Sequence, residues 1–490
     1  MTREERLQRL AQGVDVLVIG GGATGAGIAW DAATRGLTVA VLEARDFGAG
    51  TSSRSTKLIH GGVRYLAQGR LGLVREALAE RELLARQAPA LVKPLAFAVP
   101  VMSWTEALKF RSGLAAYDFL AGHDRFPPSV WCSAAGLARA VPGLRRGAFR
   151  GGVRYYDGQF DDTALLFAVL RAASAQGALC LNYAPLTRLL LRGGRVGGGV
   201  CRDEETGREH EVPARCVVNA TGANAAAVLA MDPRARAAPL QLSRGSHLVV
   251  PARFLGGDTA VLMPRVGDGR VMFAIPWQAH TLLGTTDLAT AVFEAEPMPG
   301  AAEIDAILAT AARYLDPAPM RADVTAMFCG LRPLAGTGEV ATARVSREHA
   351  LVRSDSGLVT ITGGKWTSFR RMAEETVDHV LTGSGLAAGP SRTAQQTLRP
   401  AVAPDTDTPL PGLAFGEEAC RRAVRIDYAR RTEDILARRC RALFTDVAAA
   451  LAAAPRVAAI LGEELGRDAA AVAADLAAFT ALAARYSLRG

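Results

Sequence analysis

The sequence predicts an α/β chain with a Rossmann-like sheet at its start, a mostly antiparallel sheet in its middle and a helical domain at its end. Three observations predict it. Residues 14–19 (VDVLVI) are a short apolar run, followed by a glycine turn, a helix-like stretch from about Gly25 to Arg35, and a second apolar run at 37–44 (LTVAVLEA). Strand, helix and strand within about thirty residues open a parallel, doubly wound sheet. From about residue 179, short apolar runs alternate with glycine turns, as in hairpins. From 416 onward the composition is helical, with Leu, Val and Ile among alanine runs, which favours packed helices over low-complexity sequence.

Between these landmarks, residues 70–88 carry apolar side chains at helical spacing among many charges and predict an amphipathic helix. Residues 95–101 predict a strand and 163–176 a helix. The runs at 179–221 (LTRLLLR, RVGGGVCR, CVVNATG) are expected in an antiparallel sheet separate from the first, with HLVVPA, AVLMPR, RVMFAIPW and TLLGTTD after them. Asp268-Gly269 has the composition of a hairpin turn. LVTITGG (358–364) returns to a buried strand, a helix is expected from about Ser368 to Leu381, and residues 386–414, rich in Gly, Pro, Thr and Ala, read as a linker.

The 490 residues, 49% hydrophobic and 21% charged, can bury two or three cores. The net charge of +9 comes from dispersed Arg and Lys, and no nucleic-acid motif accompanies it, which argues against a nucleic-acid partner. No stretch reaches ~18 uncharged apolar residues, so no spanning helix is expected. The N-terminus lacks the apolar core and cleavage site of a secretory signal, so a cytoplasmic chain is expected. Seven widely spaced cysteines without C-x-x-C predict reduced thiols, and the scattered histidines predict no metal site.

Gly20-Gly21-Gly22-Ala23-Thr24-Gly25 fits G-x-G-x-x-G between a strand and a helix. Gly20 serves the tight turn, Gly22 the approach of backbone to a pyrophosphate, and Gly25 the packing of helix on strand. The helix N-terminus offers amides to the phosphates. Glu43, 18 residues past Gly25, can accept from both ribose hydroxyls of an adenosine and would repel a 2′-phosphate, which argues against NADP. The run 193–199 (GGRVGGG) opens no helix and reads as a hairpin turn. One fingerprint implies one dinucleotide.

The stretch 51–66, TSSRSTKLIHGGVRYL, closely resembles the signature TSSxSxKLIHGGxRYL of FAD-dependent glycerol-3-phosphate dehydrogenases of the aerobic, quinone-linked type. VNATG (218–222), RGSH (244–247), LGTTD (283–287), GLRPL (330–334) and GGK (363–365) follow in the order expected, so the resemblance covers roughly residues 13–385. It implies a Rossmann-like FAD domain assembled from discontinuous segments at 13–95, 155–230 and 335–385. A substrate and membrane-facing segment lies at 96–154, an inserted antiparallel-sheet substrate domain at 231–334, a linker at 386–415 and a C-terminal helical domain at 416–490. The implied reaction takes sn-glycerol 3-phosphate to dihydroxyacetone phosphate, by hydride transfer from C2 to flavin N5, with electrons passed to a quinone. Expected partners are glycerol 3-phosphate, a quinone, the inner face of the cell membrane through peripheral association, and a second copy in a homodimer.

Within that frame, Thr51, Ser52 and Ser53 give hydroxyls and amides near the pyrophosphate. Lys57 and His60 are expected at the flavin, where a cation or N–H donor stabilises the anionic reduced ring. Thr221 and Gly222 let backbone approach the cofactor. Gly363 and Gly364 offer amides to the flavin carbonyl. By the resemblance, Arg64, Tyr65, His247, Thr285, Arg332 and Lys365 line the substrate pocket. The guanidinium groups of Arg64 and Arg332 suit a phosphate dianion. His247, Arg332 and Lys365 are the catalytic candidates: His247 leads as general base, with Lys365 or a water held by Arg332 as the alternatives. Residues 101–122 correspond to the family's membrane-facing region, with Trp104, Phe110, Leu114, Tyr117, Phe119, Lys109 and Arg111 suited to an interface. The segment after the linker is shorter than the family's usual cap. The competing readings are a glycerol-3-phosphate oxidase, another FAD-dependent oxidase of the amine and hydroxy-acid family, and a non-catalytic FAD-binding sensor. The last predicts a broken phosphate clamp, whereas Arg64, Arg332 and Lys365 are all present.

Overall fold

The computed structural model describes the chain except residues 67–68, 123–125, 237–239, 265–270, 337–347, 402–406 and 489–490, and the side chain of Arg64. Asp268-Gly269 lies outside the described residues.

Two sheets organise the molecule. The first runs in the order His349–Arg353, Val359–Gly363, Glu209–Asn219, Val14–Ile19, Val39–Leu42, Leu179–Leu181. Val14–Ile19 is central, parallel to Glu209–Asn219 on one side and to Val39–Leu42 on the other. Its residues Val16, Leu17 and Val18 are fully buried, because helices cover one face and the hairpin Leu186–Arg192/Arg195–Arg202 the other. The helices Ala23–Thr34, Asp162–Ala175 and Phe369–Ser384 pack together on that covered face.

The second sheet runs Leu288–Thr290, Leu240–Pro251, His280–Gly284, Met272–Trp277, Ala260–Met263, Val92–Val101, Gly151–Phe160, Leu58–Ile59. Ala326–Ala335 also pairs with Leu240–Pro251. Neighbours are antiparallel except Ala260–Met263 beside Val92–Val101.

The separate antiparallel sheet is therefore real, but its membership differs from the sequence expectation. Leu179–Leu181 and Glu209–Asn219 join the parallel sheet. Long-range pairing decides this: Val217 and Val218 are buried on both faces, and an apolar run of that kind reads alike in either kind of sheet. Conversely Val92–Val101 and Gly151–Phe160 pair along their whole lengths in the antiparallel sheet. The expected helices are present as Leu71–Gln87, Asp162–Ala175 and Phe369–Ser384. All seven cysteines are free of disulfides.

The C-terminal part is helical: Glu417–Arg425, a π-helical turn Asp434–Arg439, then Ala442–Thr445, Val447–Leu465 and Ala469–Arg485. Asp446 and Asp468 cap the last two helices through their carboxylates. This region is bolted by buried charge to the loop that follows Val39–Leu42 and to the helix Asp162–Ala175. Arg438 Nε meets Asp46 Oδ2 at 2.5 Å and its other nitrogens meet Glu433 at 2.7 Å and Asp434 at 2.9 Å. Arg439 Nη2 donates to Asp46 Oδ1 at 2.9 Å. Arg441 Nη2 donates to the Ser53 carbonyl at 2.7 Å and lies 3.4 Å from Asp162. Burial alone would lift the Asp46 carboxyl, but Arg439 and Arg438 outweigh it and hold it below the usual carboxylate range.

Replacing Asp46 by Ala strands two buried guanidinium groups and should cost about 3–5 kcal/mol, read as a lower urea midpoint. Because the folded pKa is depressed, the aspartate's contribution is complete above pH ~4 and fades only as pH falls further. Urea midpoints of parent and variant should therefore converge in acid and stay apart at neutral pH; equal midpoints at pH 7 would contradict the assignment.

Candidate functional site

The turn after Val14–Ile19 leaves no room for side chains. Gly20 has φ +106°, and a Cβ there would lie 2.7 Å from the Ala220 carbonyl oxygen. A Cβ on Gly25 would lie 1.9 Å from the Gly20 oxygen. The helix Ala23–Thr34 starts at Gly22 without a side-chain cap of its own. Ser52 Oγ accepts from the Ala23 amide at 2.9 Å, and the positive end of the helix opens into a cleft. Glu43 stands at the end of the next strand. Its carboxylate accepts from the Gly21 amide at 2.7 Å and from the Arg45 amide at 2.9 Å. Burial raises the Glu43 pKa, and the two amides oppose that shift.

The cleft has a cavity volume of about 280 Å³, near the lower end of the roughly 300–1,000 Å³ usual for ligand sites. Its walls include Gly20, Gly22, Glu43, Thr51, Ser52, Thr221, Gly222, Gly363, Gly364 and Lys365. These come from five separated stretches of chain, as the sequence reading requires. Glycine at the turn, an uncapped helix start and a ribose-height carboxylate fit a dinucleotide.

Gly25, Ser53, Lys57 and His60 are not among the residues that line the cleft. Gly25 packs beneath the turn. Ser53 is fully buried, and its carbonyl accepts from Lys57 Nζ and from Arg441. Lys57 is not at the cleft: its ammonium lies 2.6 Å from Asp162 Oδ2 and over the rings of Trp277, Phe328 and Phe444. Burial, then Arg441, pull its pKa down to about 7 against the pull of Asp162. His60 is held through its backbone, whose amide donates to Thr367 Oγ1 at 3.1 Å. The sequence spacing puts all four close to the fingerprint in the chain; only pairing across the sheets decides which ones face the cleft.

The expected substrate residues form two groups. In the first, Arg332 Nη2 donates to Thr285 Oγ1 at 2.7 Å and Nη1 to the Thr286 carbonyl at 3.0 Å, with Asp287 3.7 Å away. Leu331 and Pro333, its neighbours in the strand, line the cleft. His247 packs against Gly284, stacks on Phe328 and meets Thr56 Oγ1 through Nε2 at 3.0 Å. Burial, then the charges of Arg332 and Lys57, press its pKa well below that of a free histidine, so the ring is neutral. In the second group, Lys365 lines the cleft and its ammonium sits 4.0 Å over the Tyr65 ring. Arg64 belongs to the short helix Val63–Leu66, with its side chain outside the described residues.

Sequence reasoning missed several parts of the site. Phe293, Glu294, Ala295 and Pro297 form one wall of the cleft, and nothing in their composition signals it. Trp366 also lines the cleft, and its indole donates to the Ser52 carbonyl at 2.9 Å; its place directly after GGK was the available clue. A buried relay supports Gly61: Arg81 Nη1 meets Asp157 at 2.7 Å, Tyr117 donates to Asp157 at 3.0 Å, and the Gly61 amide donates to the Tyr117 hydroxyl at 2.9 Å. Leu114 and Tyr117 therefore face inward from the helix Trp104–Ala121, contrary to the interfacial role expected of them. Trp104, Leu108 and Phe119 are the large apolar side chains exposed on that helix, with Lys109 and Arg111 exposed beside them. No helix among the described residues is long and apolar enough to cross a membrane.

Replacing Gly20 by Ala forces a β-carbon into the Ala220 carbonyl at a left-handed backbone angle. The strain of about 1–3 kcal/mol should weaken dinucleotide retention by roughly tenfold or more. Nucleotide released on denaturing the purified variant and the parent measures it, and equal content after equal dialysis would contradict this geometry.

A family model described as FAD dependent oxidoreductase matches residues 15–370, and one described as the C-terminal domain of alpha-glycerophosphate oxidase matches 370–472. The mitochondrial glycerol-3-phosphate dehydrogenase of Homo sapiens is 37% identical over 515 residues, covering 93% of this chain and 71% of that protein. Glycerol-3-phosphate dehydrogenase 2 of Mycobacterium tuberculosis (strain CDC 1551 / Oshkosh) is 42% identical over 386 residues, covering 78% of this chain and 66% of that protein. The crystal structure of the glycerol-3-phosphate dehydrogenase of Bacillus halodurans, complexed with FAD, superposes with a TM-score of 0.78 at 27% identity, covering 99% of this chain and 97% of that one.

Proposed function

The chain belongs to the FAD-dependent glycerol-3-phosphate dehydrogenase family, and from that premise we propose that it oxidises sn-glycerol 3-phosphate to dihydroxyacetone phosphate and passes the electrons to a quinone. The observation that carries the substrate assignment is Arg332, held by Thr285 and Thr286 beside His247 with its guanidinium still partly open to solvent.

Gly20, Gly22 and the first amides of Ala23–Thr34 would hold the pyrophosphate of FAD, and Glu43 the ribose, with Thr51, Ser52, Thr221, Gly222, Gly363 and Gly364 as the remaining contacts. Bound FAD would supply a two-electron acceptor for the hydride of the substrate's C2. Arg332, joined by Arg64, binds the substrate phosphate, a contact that a planar guanidinium makes with two parallel hydrogen bonds. Lys365, steadied by the Tyr65 ring, brings a second cation to the substrate end of the cleft. Holding the phosphate fixes C2, so most of the rate advantage asked of these residues is positional. His247 takes the C2 hydroxyl proton. Its neutral ring is competent to do so at ordinary pH, whereas Arg332 stays protonated.

The exposed Trp104, Leu108 and Phe119 beside Lys109 and Arg111 support peripheral docking on an anionic leaflet, where a quinone is available. The acceptor has one competing reading, oxygen, favoured by the description of the model that matches 370–472. Peroxide formed per substrate oxidised in air separates the two, and stoichiometric peroxide would overturn the quinone assignment.

Replacing Arg332 by Ala should lower kcat/KM for glycerol 3-phosphate by about 10²–10³ with FAD retained; turnover near the parent rate would sink the phosphate assignment. The acidic limb of the kcat/KM profile offers a second check. The folded pKa of His247 is depressed, so the base stays neutral as pH falls through ~6.5. A limb centred at the ordinary histidine value, and lost in His247→Asn, would contradict that.

A further inference from the structure

The wall formed by Phe293, Glu294, Ala295 and Pro297 is a loop between the edge strand Leu288–Thr290 and the helix Ala301–Tyr314. Only one side chain in it turns away from the cleft into a dense set of partners. Glu296 Oε1 accepts from Arg54 Nη2 at 2.6 Å and from the Tyr486 hydroxyl, and its Oε2 lies 3.4 Å from Arg45 Nη1. Arg485 Nη2 donates to the Glu296 carbonyl at 2.8 Å. Arg45 and Arg54 themselves line the cleft, at either end of the loop that carries Thr51 and Ser52. Arg485 and Tyr486 close the last helix, Ala469–Arg485, and lie beyond residue 472, where the C-terminal family match ends.

One carboxylate thus joins three parts of the chain: the wall of the cleft, the nucleotide loop and the C-terminal helix. We infer that Glu296 is a positioning residue for the cofactor: it holds the 293–297 loop closed as a strap along the FAD cleft, and Tyr486 and Arg485 anchor that strap to the C-terminal helical domain, so that the C-terminus sets how fast FAD leaves. The physical case is one of pairing. The Glu296 side chain is 13% exposed and that of Arg54 is 2% exposed. Burial would raise the Glu296 pKa, but Arg54, the Tyr486 hydroxyl and Arg45 outweigh it and keep the carboxylate charged. A charged carboxylate with few waters of its own keeps its partners, and the loop follows. Tyr486 is itself fixed, 1% exposed, edge-on to Phe444, with its carbonyl accepting from the Met327 amide at 2.9 Å.

The test measures FAD release from the holoenzyme by rapid ultrafiltration and flavin absorbance of the filtrate, for Glu296→Gln, Tyr486→Phe, the double variant and Arg421→Ala. Arg421 pairs with Glu463 and Glu464 on the far side of the C-terminal helices and serves as the stability control. Release should quicken about tenfold in Glu296→Gln, which removes the charge that Arg54 and Arg45 pair with, and about threefold in Tyr486→Phe, which removes one hydrogen bond to it. The double variant should match Glu296→Gln, because both changes act on the same carboxylate. KM for glycerol 3-phosphate should stay put in variants reloaded with FAD, and Arg421→Ala should release FAD at the parent rate. If Glu296→Gln fails to fold, Tyr486→Phe, which removes one hydroxyl and leaves the ion pairs, decides alone. Parent-like release from Tyr486→Phe, or equal acceleration in Arg421→Ala, would overturn the inference.

Discussion

The molecule depends on keeping a set of desolvated charges paired around one loop. The loop from Glu43 to Lys57 is the floor of the cofactor cleft, and charge grips it from below at both ends. Asp46 takes Arg438 and Arg439, and the Ser53 carbonyl takes Lys57 and Arg441, with Asp162 closing the set. In the interior a lone ion is far more costly than a pair, so these groups fix each other's positions closely. They also settle what the C-terminal helices are for. Three arginines within four residues, at and just beyond a π-helical turn, reach the nucleotide loop and the start of the helix Asp162–Ala175, so the helical region braces that loop.

The parts of the fold legible in the sequence are those written locally. The fingerprint 20–25 sits on the turn where its spacing puts it, and Glu43 reaches the same cleft. The later blocks VNATG and GGK converge there from 200 and more residues away. What could not be read is what long-range pairing decides. Val217 and Val218 carry the same apolar pattern whether they enter a parallel or an antiparallel sheet. Lys57 and Ser53 belong to the same motif as Thr51 and Ser52 but turn to the opposite side, where Trp277, Phe328 and Phe444 enclose the ammonium. A motif conserves spacing; it does not record which side of the loop each residue faces.

The candidate site shows the same division of labour. Arg332 is aimed by the hydroxyl and carbonyl of Thr285 and Thr286, two positions in one block, while Lys365 is steadied by Tyr65 from another. Their supports are mostly residues that no motif marks as part of the site: Asp157, Arg81 and Tyr117 beneath Gly61, and Trp366 against Ser52. Side chains that touch a ligand sit in recognisable motifs, whereas those that hold them do so through packing and buried hydrogen bonds, which composition does not reveal.

The scattered origin of the cleft walls has a consequence for biosynthesis. Gly20 and Met372 face the same cavity, and the helix that secures Glu296 ends at Arg485. A nascent chain with only its first strand–helix–strand unit clear of the ribosome can form the phosphate turn but has nothing to enclose a flavin. Cofactor uptake must then wait until the wall segments as far as Met372 have emerged. Until that moment the central strands lack the helix Phe369–Ser384 that completes the cover of one face, which makes the interval before it emerges the one most exposed to misassembly.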